Sequence, residues 1–212
     1  SGIGSPRLVI EGVKELKPVN YSVIGDRIEA GTFMVAAAIT KSRLQVNGFT
    51  LDHMLAVTDR LRHIGVEVEA VNGGCEVALE GPVHPADITT QPYPGFPTDL
   101  QAQFMALLAT GQGNSVVTEK IYPDRFMHVA ELNRMAANLR KEGPNVIVAG
   151  VDKLVAAPVM ASDLRASAAL VLAGMAAEGT TLVQRVYHID RGYHRIEERL
   201  NAVGAKIRRK SV

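Results

Sequence analysis

Asp26, Asp99 and Asp163, together with Arg125, Arg165 and Arg191, all stand at or just inside the expected starts of helices. The first turn of a helix offers unpaired amide donors and a positive dipole, and a guanidinium fork matches carboxylate or phosphate oxygens two at a time. Gathered on one face, these residues make a site for a small, highly charged anion. Singly, each has a plainer role: the aspartates cap helices, and the arginines are solvated or ion-paired. Asp124 and Asp190 precede Arg125 and Arg191 at corresponding places and can pair with them or cap the helices. Whether there is a site therefore depends on whether the fold brings helix starts together.

The most informative stretch is Gly95-Phe96-Pro97-Thr98-Asp99-Leu100-Gln101-Ala102-Gln103-Phe104. Pro94 and Pro97 hold the approach extended, and Thr98 with Gln101 three residues on reads as a capping box, which puts Asp99 at a helix N-terminus.

Around it the chain alternates strand and helix. Strands are expected at Leu8–Ile10 and near Tyr21–Val23. Asp26 then opens a buried helix to about Thr40, followed by a strand at 43–46, a helix capped by Asp52 and ended by Gly65, and a hairpin about Asn72-Gly73. A second round runs from a strand at 87–90 through the Asp99 helix and a strand at 115–119. It goes on to a helix from Asp124-Arg125 carrying Phe126 to Leu139 and ended by Gly143, then a strand at 145–149. A third has strands near 155–160 and 181–184, helices from Ser162-Asp163 and from Asp190-Arg191, and a last strand at Lys206–Arg208. Asp26, Asp99 and Asp163 recur 73 and 64 residues apart, so a period near 70 fits three units at roughly 15–80, 81–150 and 151–212 of a single domain. Each unit reads strand, helix, strand, helix, strand, strand. Right-handed crossovers would point the helices of a unit the same way, and the charge-poor first helices would pack together with the sheets outside. The third unit lacks its final strand, which something outside this chain is expected to supply.

Composition narrows the function. The 212 residues are 47% hydrophobic and 21% charged with a formal net charge of +1, which lacks the basic excess of a nucleic-acid or anionic-membrane binder. Cys75, the single cysteine, cannot form an internal disulfide and reads as a structural thiol in a reducing compartment. No apolar run approaches the ~20 residues of a membrane span, and the start Ser1-Gly2-Ile3-Gly4-Ser5 has no signal-peptide pattern, so a cytoplasmic protein is expected. The absence of an initiator methionine points to processing or to a start inside a longer chain.

Five motifs carry a resemblance: Asp26-Arg27-Ile28-Glu29-Ala30-Gly31-Thr32, Phe96 to Gln103, Arg125-Phe126-Met127-His128-Val129, Ser162-Asp163-Leu164-Arg165-Ala166 and Tyr187-His188-Ile189-Asp190-Arg191-Gly192-Tyr193. In this order they resemble the second half of the UDP-N-acetylglucosamine 1-carboxyvinyltransferase family, the enolpyruvyl transferases of the first committed peptidoglycan step. The resemblance implies an inside-out α/β barrel domain of three βαβαββ repeats, one of two such domains, with no cofactor and no metal. The implied reaction transfers the enolpyruvyl group of phosphoenolpyruvate to a sugar 3-hydroxyl through a tetrahedral ketal. Asp99 matches the general base, and Arg125, Arg165 and Arg191 match the phosphoenolpyruvate-binding positions. Thr98, Asp99, Ile121 (through its backbone) and Tyr122 match the UDP-N-acetylglucosamine side, with Asp26, Asp163 and His188 as polar residues near the cleft. The group that protonates the substrate methylene belongs to the first half, so the implied partner is the N-terminal domain of the same protein, and the isolated chain is expected to be inactive. Pro123-Asp124 stands where many relatives carry an acidic and an amide residue. Two other readings are a shikimate-accepting relative, disfavoured by the motifs around Asp99 and His188, and a non-catalytic repeat domain that binds an anion.

Overall fold

The computed structural model describes residues 1–210, so the last two residues of the expected third unit lie outside the described residues. Helix α1 (Arg27–Ile39) begins where Asp26 Oδ1 accepts from the amides of Ile28 at 2.8 Å and Glu29 at 3.2 Å, satisfying two of the donors a helix start leaves free. From Ala30 to Ile39 every residue is buried. Strand β1 (Leu44–Asn47) follows, then a 3-10 turn at Leu51–Met54 and α2 (Leu55–Ile64). That turn takes the place of the expected Asp52 cap, while Gly65 ends α2 as expected at φ 102°, a conformation that strains any side chain. Strands β2 (Glu67–Val71) and β3 (Gly74–Ala78) form the hairpin about Asn72-Gly73, in an antiparallel sheet ordered β1-β3-β2.

The second series is β4 (Ile88–Thr89), a 3-10 turn at Thr98–Leu100, α3 (Gln101–Ala109), β5 (Asn114–Thr118), α4 (Met127–Arg134), β6 (Asn138–Glu142) and β7 (Asn145–Ala149). Its sheet is ordered β4-β5-β7-β6, with β4 and β5 parallel across α3. The expected helix through Leu139 is shorter: α4 is capped at Met135, and Ala136 turns the chain at φ 64°. Leu139 lies in β6 opposite Val148, and Gly143 sits in the β6–β7 turn rather than at a helix end. The third series is β8 (Pro158–Met160), α5 (Leu164–Ala176), β9 (Leu182–Gln184), a 3-10 turn at Val186–Arg191 and α6 (Ile196–Ala202), with β8 parallel to β9 across α5.

Helices α1, α3 and α5 touch one another and form the centre of a continuous core, against which β5 and β7 bury alternate residues. The sequence reason is plain: α3 reads Gln-Ala-Gln-Phe-Met-Ala-Leu-Leu-Ala and is buried on every side. Fully burying a side chain such as Phe104 or Leu107 contributes roughly 1.5–3 kcal/mol.

Three expected strands do not form. Leu8–Ile10 and Tyr21–Val23 are exposed and lie in no strand: Val9 exchanges two backbone hydrogen bonds with Ser1, at 3.0 and 2.8 Å, but among the described residues neither segment has the ladder a strand needs. Among the described residues the segment Lys206–Arg208 has no pairing strand either, yet it is docked as β6 is. Asn133 clasps Leu139 through Nδ2 to its carbonyl at 2.8 Å and Oδ1 from its amide at 2.9 Å. Asn201 clasps Ile207 in the same way, both bonds at 2.8 Å. Among the described residues no helix is long and apolar enough to cross a membrane.

Candidate functional site

Asp99 stands in the 3-10 turn that precedes α3, after an extended Pro97. The expected capping box is not made. Thr98 Oγ1 instead donates to Glu119 Oε2 at 2.8 Å, and both Asp99 oxygens are taken by arginines: Oδ1 by Arg125 Nη1 at 2.7 Å and Oδ2 by Arg165 Nη2 at 3.0 Å. The side chains of Asp99, Arg125 and Arg165 are 35%, 22% and 13% exposed, so solvent screens this triad less than it would a surface pair. Burial opposes ionisation of Asp99, but the hydrogen bond from Arg125 and the charge of Arg165 outweigh it and hold the carboxyl below its ordinary value.

Each partner is positioned by its own element. Arg165 is the second residue of α5, whose start is fixed by Asp163 Oδ1 accepting from the amides of Arg165 at 2.7 Å and Ala166 at 2.9 Å. Arg125 leaves the β5–α4 loop after Asp124, which adopts φ 67°, and its guanidinium carbon lies 5.7 Å from the centroid of the Tyr122 ring. Asp124 pairs with Lys141 at 2.7 Å and Asp190 with Arg209 at 2.7 Å, so neither neutralises the arginine that follows it. Arg191 closes a 3-10 turn rather than opening a helix, and among the described residues it makes no ion pair.

These side chains line one cleft of about 630 Å³, which holds Thr98, Asp99, Tyr122, Arg125, Asp163, Arg165 and Arg191. A smaller hollow of about 190 Å³ shares Thr98 and Asp99 with it and is lined further by Arg27, Tyr93 and Ile121. The structure thus brings together most of the residues singled out in the sequence. Asp26 is occupied as the cap of α1, and His188 stacks beside Tyr187 with ring centroids 4.3 Å apart, outside the lining of both hollows. Cys75 is buried, and burial pushes its thiol up to about 11, which keeps it unreactive. Among the described residues no group of histidine, cysteine and carboxylate side chains is placed to hold a metal.

Sequence reasoning missed Glu119. It ends the third segment of the second unit and is 1% exposed. Its carboxylate accepts from Thr90 Oγ1 at 2.6 Å, Thr98 Oγ1 at 2.8 Å, and the amides of Ile121 at 2.7 Å and Tyr122 at 2.9 Å. One buried group thereby ties β4, the Asp99 turn and the Ile121-Tyr122 loop together. The available signal was a carboxylate ending the uncharged run Ser115-Val116-Val117-Thr118 just before Lys120.

A carboxylate clamped by two guanidiniums, with a third cation facing the same cleft of a helix-centred α/β fold, makes a site suited to a small anion. The chain belongs to the EPSP synthase (3-phosphoshikimate 1-carboxyvinyltransferase) family, whose profile matches residues 2–200. It is 54% identical over 209 residues, 99% of its length, to a UDP-N-acetylglucosamine 1-carboxyvinyltransferase of an Anaeromyxobacter species, and 53% identical over 208 residues to that of Granulibacter bethesdensis. The chain spans about half the length of these curated relatives, 50% of each. Among solved structures it resembles the enolpyruvyl transferase NikO from Streptomyces tendae, with TM-score 0.81, 27% identity, and 91% of this chain and 46% of that one covered. EPSP synthase from Acinetobacter baumannii shares the fold at TM-score 0.69 and 20% identity, with 90% of this chain and 45% of that one covered.

Proposed function

We propose that this chain is the second domain of a cytoplasmic enolpyruvyl transferase, an inside-out α/β barrel of three units that carries half of an interdomain site. The reaction is transfer of the enolpyruvyl group of phosphoenolpyruvate to the 3-hydroxyl of UDP-N-acetylglucosamine, a step of peptidoglycan synthesis. The observation that carries this reading is Asp99 held between Arg125 and Arg165 in a cleft that Arg191 also faces. The names of the two curated relatives support the choice of acceptor.

In this reading the 3-hydroxyl oxygen bonds to C2 of phosphoenolpyruvate while Asp99 accepts the hydroxyl proton. The C3 methylene gains a proton from an acid on the N-terminal domain, which gives a tetrahedral ketal. Breaking the C2–O bond to phosphate, with loss of a C3 proton, restores the double bond. With both oxygens clamped, Asp99 is a poor base. The phosphate and carboxylate of phosphoenolpyruvate compete for the same guanidiniums, so substrate binding frees the carboxylate and raises its basicity as the closing domains exclude water. Arg191, which pairs with no carboxylate among the described residues, takes charge on the substrate directly.

The test is phosphate release from phosphoenolpyruvate and UDP-N-acetylglucosamine by this chain alone, by this chain with the separately made N-terminal half, and by that mixture with Asp99→Ala. Turnover is expected only in the unsubstituted mixture. Halves that associate and never turn over would leave an anion-binding domain as the better reading.

A further inference from the structure

Tyr193 lies behind the triad, fully buried, in the link between the Val186–Arg191 turn and α6. Its hydroxyl is within hydrogen-bond reach of one side chain from each central helix: Thr32 Oγ1 of α1 at 2.7 Å, Gln103 Nε2 of α3 at 3.4 Å and Arg165 Nη1 of α5 at 3.3 Å. The Arg165 guanidinium carbon also lies 5.8 Å from the centroid of the Tyr193 ring.

The proton directions in this cluster follow from counting. A hydroxyl has one proton, and Thr32 Oγ1 spends its own on the Ile28 carbonyl at 2.9 Å. Thr32 therefore accepts from Tyr193, and Gln103 Nε2 donates to Thr32 Oγ1 as well, at 3.2 Å. With its proton committed to Thr32, the Tyr193 oxygen turns its lone pairs toward Arg165 and Gln103. A directed chain results, from Arg165 N–H to Tyr193 oxygen, from Tyr193 O–H to Thr32, and from Thr32 to the backbone of α1. Arg165 is thus held at both ends, by Tyr193 through Nη1 and by Asp99 through Nη2. Among the described residues the Arg125 side chain is held by Asp99 and by its contact with the exposed Tyr122 ring alone.

We propose that Tyr193 is a positioning residue that fixes the Arg165 guanidinium, making Arg165 the stationary and Arg125 the mobile half of the clamp on Asp99. The inference rests on the transferase reading only for its catalytic consequence; the pinning itself is a property of this chain.

The experiment observes the guanidinium signals of the arginine-labelled chain by nitrogen-15 NMR, assigned with Arg125→Lys and Arg165→Lys. Separate, slowly exchanging Nη signals are expected for Arg165 and a single averaged one for Arg125. Tyr193→Phe should average the Arg165 signals, leave those of Arg125 unchanged, and weaken phosphoenolpyruvate binding about tenfold. In the reconstituted transferase it should lower kcat about tenfold without changing KM for UDP-N-acetylglucosamine. Should Tyr193→Phe not fold, Thr32→Val removes the acceptor that orients the phenol and is read in the same way. Averaged Arg165 signals in the unsubstituted chain, or unchanged signals in a folded variant, overturn the proposal. A mixture without turnover overturns the transferase reading alone, because the guanidinium signals still decide what Tyr193 does.

Discussion

Thr98 gives its hydroxyl proton to Glu119 across 2.8 Å, so the turn that carries Asp99 is fastened to the end of the neighbouring strand rather than to its own helix. Glu119 takes three further hydrogen bonds, one from Thr90 beside β4 and two from the amides of Ile121 and Tyr122, which line the two hollows. Glu119→Gln keeps the volume but replaces one accepting oxygen with a donor that faces other donors. We expect a loss of about 1–3 kcal/mol in urea unfolding, the usual cost of unsatisfied buried groups. Thr98→Val removes a single one of these bonds and should cost less. Equal losses in the two variants would mean that Glu119 does not act as the common anchor.

The competition between Asp99 and an incoming anion gives a prediction of opposite sign for binding and turnover. Asp99→Asn removes the carboxylate that occupies Arg125 and Arg165, so inorganic phosphate should bind this chain about two- to fivefold more tightly, in line with the modest strength of partly exposed ion pairs. The same substitution should abolish turnover in the reconstituted mixture. Titration calorimetry reads the first effect, and weaker phosphate binding by the variant would show that Asp99 helps to hold the anion rather than competing with it.

The helix starts were legible where the cap is local. Asp26 and Asp163 bond amides two and three residues ahead, so α1 and α5 begin where the sequence places them. The Thr98 cap was misread because its true partner is 21 residues away, and nothing in the local spacing signals that contact. The end of α4 was misread because Leu132, Met135 and Leu139 keep helical spacing across a boundary that Ala136 makes in the left-handed region, where a glycine would have announced it. In the same way Arg125, Arg165 and Arg191 could be named from their places near expected helix starts, although Arg191 closes a 3-10 turn five residues before α6. That two of them would meet on Asp99 while Asp124 and Asp190 bond elsewhere is a tertiary outcome.

His128 makes stability depend on pH in a window separate from that of Asp99. Burial pushes its pKa down to about 4, with Asp163 raising it and Arg125 lowering it to lesser degrees. The unfolded chain, with histidine near 6.5, therefore binds the extra proton first as pH falls. Stability is present in full above about 6.5 and declines toward about 4, by roughly 3 kcal/mol at most. The Asp99 contribution has the same sign but is lost only below the ordinary aspartate value. His128→Leu should flatten the urea midpoint between pH 6.5 and 4 and leave the more acidic loss in place; a slope that persists in the variant would assign it to another group.

The paired asparagines give a test of how far a side-chain clasp can hold a segment without a sheet. Asn133 and Asn201 make the same two bonds to the residue six positions on, but β6 also pairs along its length with β7, whereas the segment around Ile207 has no ladder among the described residues. In the first case the clasp adds to an element that already excludes water, so Asn133→Ala strands a shielded amide and carbonyl and should cost about 1–3 kcal/mol. In the second the freed groups meet solvent at once, so Asn201→Ala should change global stability by about 0.5 kcal/mol or less. Its effect should instead be local, with faster amide exchange and proteolytic cleavage at Ala205–Arg209, because opening there moves only the partly buried Ala205 and Ile207 off the core and breaks no ladder. Equal global losses for the two substitutions would mean that the Ile207 segment is already integral to the fold. Equal exchange rates with and without Asn201 would mean that the clasp is not what holds it.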